Sequence, residues 1–149
     1  VIRDPWSMVE SDFRNTLRAA KIMSDDPLFR LRVPLSYQHY IRRVAALPNL
    51  DAFWYDVYER VERYQGGIYR HFCLDCDGHD LGIVAHRYDE QSRWWPDVCR
   101  AADLPRFALP KLNAGGQWPQ ARWNPDLVAR IGTYFAADVE RFGFEPPSI

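Results

Sequence analysis

Residues 1–13, VIRDPWSMVESDF, decide how the rest of the chain is read. Val1-Ile2 has the character of a buried strand end, and Arg3 follows it. Asp4-Pro5 then opens a helix. Asp4 is placed to cap it, and Pro5 takes the first helical position, where a missing N–H costs nothing. Ser11 lies eight residues after Arg3 and further along the same helix. Together they make a cradle for a phosphate. The helix N-terminus supplies partial positive charge and free N–H groups, the guanidinium a two-pronged donor, and the serine a hydroxyl.

Working outward, the opening helix is predicted from Pro5 to Ile22. Met8, Val9, Phe13, Leu17 and Ala20 recur at three- and four-residue steps, and Ser24-Asp25-Asp26-Pro27 ends it. Residues 27–35, with prolines near both ends, read as irregular. Ser36 is predicted to cap a helix through Tyr37, Tyr40, Ile41 and Val44 that Pro48 closes. Asp51 starts another, DAFWYDVYERVERY, with Phe53, Trp54, Val57, Tyr58, Val61 and Tyr64 along one side and Gly66-Gly67 as its stop.

Residues 68–87 change character. IYRHFCLD and LGIVAHR are strand-like runs around Cys76-Asp77-Gly78-His79, and Asp77-Gly78 is a hairpin turn signal. A helix then begins near Ser92 and runs through Val98, Cys99 and Ala102, with Pro96 assigned to its first turn or just before. Residues 103–123 form an extended Pro- and Gly-rich loop, a candidate lid. In the last helix Asn124 caps, Pro125 leads, Leu127, Val128, Ile131, Tyr134, Phe135, Val139 and Phe142 face inward, and Gly143 stops it.

The bulk properties set outer limits. At 149 residues, with 47% hydrophobic and 26% charged residues, the chain suits a single domain with a real core. The longest uncharged run, between Lys111 and Arg122, is far too short to span a bilayer. A net charge of -1 gives no general attraction to nucleic acid or to anionic membranes. Lys21 and Lys111 are the only lysines, so 17 of the 19 cations are arginine, a skew that codon bias accounts for better than function does. Three cysteines, an odd number, point to a reducing compartment rather than a disulfide scaffold.

The opening stretch resembles the 3′-phosphate-binding segment of sulfotransferases that use 3′-phosphoadenosine-5′-phosphosulfate (PAPS). Their pattern is a hydrophobic strand, Arg-Asp-Pro or Arg-Asn-Pro, five residues, Ser, and an aromatic soon after; Arg3-Asp4-Pro5, Ser11 and Phe13 match it. The second half is similar to the carbohydrate and bacterial branch of that family. Its ordered features correspond here to Asp77-Gly78, Ile83-Val84, Arg87-Tyr88-Asp89, Cys99, Leu109-Pro110-Lys111-Leu112-Asn113, Pro125, Asp138 and Phe142-Gly143-Phe144. Asp89 stands where the family usually has Glu, and Glu90 follows it.

The resemblance implies an α/β fold: part of a P-loop-like sulfotransferase domain, helix-rich with few strands, with a mostly parallel sheet in the intact protein. It implies sulfuryl transfer from PAPS to a hydroxyl or amine, with carbohydrate the favoured acceptor and no metal required. Arg3 and Ser11 would bind the 3′-phosphate. The family's phosphosulfate-binding loop and acceptor-activating base precede this segment, so no catalytic residue carries over, and the isolated chain is expected to be inactive. The expected location is cytoplasmic, or membrane-associated in the full-length protein.

Two other readings stand beside it. One is a sulfotransferase-fold remnant that binds without turnover. The other is a small zinc-stabilised interaction module built from His71, Cys73, Cys76 and His79, four ligand types in nine residues. Arg87, Asp89 and Glu90 suggest acid–base chemistry less than an ion-paired strand end that orients the following helix.

Overall fold

A computed structural model describes residues 1–108 and 122–149. The loop motif Leu109–Asn113, and with it most of the predicted 103–123 lid, lies outside the described residues. The described residues are helix-rich, 62% helical, and strand pairing among them is confined to two isolated bridges. A first helix, α1 (Pro5–Asp25), starts as the sequence implies: the Asp4 carboxylate accepts the Ser7 N–H at 2.8 Å and Pro5 leads. Trp6, Val9 and Met23 are buried along its inner face.

At Asp26 the sequence reading needs correction. Residues 27–32 are not irregular but form α2 (Pro27–Arg32), because Asp26 accepts the Leu28 and Phe29 N–H groups at 2.9 and 3.1 Å. Asp26-Pro27 repeats the cap-then-proline signature of Asp4-Pro5. The next helix, α3 (Leu35–Ala45), begins one residue before Ser36, and Pro34 stands at its cap position. Buried Gln38 donates to the Arg30 and Val33 carbonyls at 2.7 and 2.9 Å and so satisfies the end of α2.

Asn49, rather than Asp51, caps α4 (Leu50–Trp54), accepting the Ala52 N–H at 2.8 Å. Helix α4 passes directly into a π-helical turn at Tyr55–Glu59. The predicted run to Tyr64 stops there, and Glu62 and Tyr64 take positive φ. Within the core Trp54 stacks on Tyr58 (centroids 5.2 Å apart, planes at 16°), and the edge of Tyr134 meets Trp54 at 5.1 Å.

The largest correction falls on IYRHFCLD. Its first six residues are helix α5 (Ile68–Cys73), not a strand. What makes them helical comes from far along the chain: the buried Asp138 carboxylate accepts the Ile68 and Tyr69 N–H groups at 2.5 and 3.1 Å. The turn itself is present. Asp75 Oδ1 accepts the Asp77 and His79 N–H groups, and Leu74 pairs antiparallel with Asp80. Of LGIVAHR, only the last residue bridges: Arg87 pairs parallel with Ile2, with Ile2 N–H on the His86 carbonyl at 2.7 Å and Tyr88 N–H on the Ile2 carbonyl at 2.8 Å.

Helix α6 (Gln91–Ala101) carries Pro96 in its interior rather than in its first turn. Helix α7 (Pro125–Tyr134) is capped by Asn124, and the predicted continuous helix breaks at Phe135 before α8 (Ala136–Phe142). Gly143 ends α8 in the left-handed conformation, as a terminating glycine does. Trp6 joins α1 to α7: its indole N–H donates to the Val128 carbonyl at 3.0 Å. A Cβ on Gly132 would come within 3.1 Å of the same ring.

Gly67 holds φ +108, and a Cβ there would lie 2.8 Å from Asp138 Oδ1. Gly67→Ala is expected to destabilise the chain by about 2–4 kcal/mol through backbone strain and displacement of the buried carboxylate. Urea unfolding measures this; an unchanged midpoint would mean that Asp138 does not cap α5.

Candidate functional site

The parallel bridge at Ile2 and the cap at Asp4 fix Arg3 between them, at a strand-to-helix junction. Its side chain is half-buried. The guanidinium lies 5.0 Å above the Tyr88 ring, and its Nε donates to Ser7 Oγ at 3.1 Å. Ser7 in turn hydrogen-bonds the Asp4 carboxylate. Ser11 sits four residues beyond Ser7, so the two hydroxyls share one side of α1. The Ser11 hydroxyl has no hydrogen-bond partner among the described residues.

This arrangement changes one expectation. The mouth of α1 already holds the carboxylate of Asp4, which takes the Ser7 N–H. An incoming phosphate would therefore rest on the Arg3 guanidinium and the hydroxyl side of the helix more than on free N–H groups. Ser7, the nearest hydroxyl to Arg3, was missed in the sequence. Its signal was its spacing from Ser11, a step of four along one helical face.

Arg87 is committed elsewhere. It grips Asp89 with two nitrogens (3.1 and 2.6 Å), donates to the Phe142 carbonyl at 2.7 Å, and lies over the Phe144 ring. These bonds hold the Asp89 carboxyl below its usual range. The pair ties the segment leading into α6 to the end of α8. A cavity of about 360 Å³ opens beside it, lined by Asp4, Arg87, Asp89, Gly143, Phe144 and Glu145.

His71, Cys73, Cys76 and His79 do not gather. The His71 ring packs against Tyr64 and Phe72, Cys73 is buried, and Cys76 is exposed. Among the described residues the group with three ligand atoms within 4.8 Å is Asp75, Asp77 and His79, which contains neither cysteine. Asp75 is occupied in holding the turn, and the His79 backbone N–H, chief among its partners, keeps its carboxyl low.

Two further polar clusters lock elements together. Tyr58 donates to Asp12 at 2.5 Å, and burial first, then Asp12, pushes the phenol up. Tyr69 donates to Asp80 at 2.6 Å and receives Arg141 at 2.9 Å, which pins the turn to α8. Asp138 is pushed up by burial, while the two backbone N–H bonds pull it back down.

No protein-family model, curated protein or solved structure matches the chain.

Arg87→Ala should loosen the end of α8, costing about 1–3 kcal/mol for the lost charged hydrogen bonds. Hydrogen exchange at residues 86–90 and 140–144 reads it. Protection unchanged at both would show that the Arg87 contacts are idle in solution.

Proposed function

We propose that this chain carries the 3′-phosphate-binding part of a PAPS-dependent sulfotransferase and that Arg3 and Ser11 hold the phosphate, with Ser7 orienting the Arg3 guanidinium. One observation carries the reading. Arg3 leaves a parallel bridge and stands at the head of a capped helix, held by Ser7, with the Ser11 hydroxyl further along that helix. Crevices at the carboxyl ends of parallel strands, next to helix starts, are where α/β proteins take phosphates. The P-loop-like sulfotransferase fold is part of this proposal and is supported by the same bridge and by the ordered motifs of the second half.

In the reaction, an acceptor oxygen or nitrogen attacks the sulfur of PAPS. The bond from sulfur to the 5′-phosphate oxygen breaks, adenosine 3′,5′-bisphosphate leaves, and the acceptor's proton passes to a base. The residues here contribute binding and orientation: the guanidinium neutralises the 3′-phosphate, and the Ser11 hydroxyl fixes its rotation. No residue of this chain is assigned as the base. Carbohydrate is the proposed acceptor class, from the branch that the motifs resemble. A binding remnant without turnover shares the same phosphate cradle, and the zinc module has less support because its four ligands lie apart.

Calorimetric titration of adenosine 3′,5′-bisphosphate into the chain tests the reading. Arg3→Ala should weaken binding about tenfold or more, and Ser11→Ala and Ser7→Ala about three- to tenfold each, as befits hydrogen bonds to a charged group. No saturable heat from the folded chain, or equal affinity in Arg3→Ala, would sink the proposal. If binding holds, labelled-PAPS turnover separates enzyme from remnant.

A further inference from the structure

The segment from Pro27 to Leu50 contains four arginines, Arg30, Arg32, Arg42 and Arg43, and no aspartate or glutamate, within a chain of net charge -1. Arg43 is paired with Asp56. Arg30, Arg32 and Arg42 have no side-chain partner among the described residues and are exposed. Between these cations stand leucines in water: Leu28 is 64% exposed, Leu31 80% and Leu35 72%. Helix α2 has no buried residue at all, and only Phe29 leans partly inward. Leu28 and Leu31, three apart, share one face of it.

We propose that α2 and α3 form a docking surface for an anionic bilayer, with Leu28, Leu31 and Leu35 entering the interface and Arg30, Arg32 and, in the last turn of α3, Arg42 meeting lipid phosphates. Charge complementarity selects the occupant. Three unpaired arginines, with Asp26 the nearest carboxylate in sequence and already bonded to the Leu28 and Phe29 N–H groups, demand an anionic partner, and protruding leucines among them demand one that also takes apolar side chains. A nucleic acid satisfies only the first demand. Arginine stems can lie along acyl chains while their heads stay with phosphates, so the two residue types work side by side. No helix of the described residues is long and apolar enough to cross the membrane, so the contact is one of lying on the surface. This surface is independent of the Arg3 cradle.

Co-sedimentation of the whole chain with vesicles tests it. Binding should appear with phosphatidylcholine containing about one third phosphatidylserine, fall with added salt, and be absent from phosphatidylcholine alone. Leu28→Ser with Leu31→Ser should weaken it about tenfold or more, and each of Arg30→Gln and Arg32→Gln about fivefold. Arg100→Gln on α6 should leave it unchanged. No binding to the anionic vesicles, or equal binding by the leucine variant, overturns the proposal. So does retention on polyglutamate as strong as on vesicles and insensitive to the leucine changes, which would mark an acidic protein as the partner.

Discussion

Trp6 is the contact on which the geometry of this protein turns. Its ring lies against Gly132, and its indole N–H reaches the Val128 carbonyl, so the first turn of α1 is seated on α7. A buried indole needs both an apolar bed and a partner for its N–H, and here one helix provides both. Because Trp6 is fixed, the rotation of α1 about its own axis is fixed too. That rotation decides which residues look inward, Val9 and Met23, and which side carries Ser7 and Ser11. The orientation of Arg3 is thus set from behind by packing and from in front by the Ile2 bridge.

Around this core the chain relies on carboxylates that act across long sequence distances. Asp138 caps α5 from 70 residues away, Asp12 holds Tyr58, and Arg130 gathers Asp51 and Glu59 onto α7. Of these carboxylates Asp138 is buried, which is costly for such a group alone and holds here because both its oxygens are used; the others stay partly exposed. They give short helices fixed positions that their own lengths would not maintain, since a helix of six residues has little stability by itself.

This explains which parts could be read from the sequence. The starts of α1 and α7 were legible because Asp4-Pro5 and Asn124-Pro125 are local signals, and so was the end at Gly143. Asp26-Pro27 was equally local, and α2 was readable by the rule already applied to Asp4. Helix α5 was not. Ile68 to Cys73 is rich in residues that favour strands, and the carboxylate that turns it helical belongs to another helix entirely. The break at Phe135 and the π turn at Tyr55–Glu59 likewise answer to aromatic packing between Trp54, Tyr58, Tyr134 and Phe135, which no spacing rule encodes. At the candidate site the spacing from Arg3 to Ser11 was visible, whereas the occupation of the helix mouth by Asp4 became visible only with the fold.

The seat of Trp6 also sets the order of assembly. Its hydrogen-bond partner lies 122 residues away, while α1 meets α2, α3 and α4, all complete by Trp54. Local helical contacts close quickly, and distant ones wait for the intervening polymer to be ordered. During synthesis the apolar face of α1 therefore emerges long before α7 exists to receive it. The junction that presents Arg3, closed by Arg87 and seated through α7, is therefore among the last features to take shape.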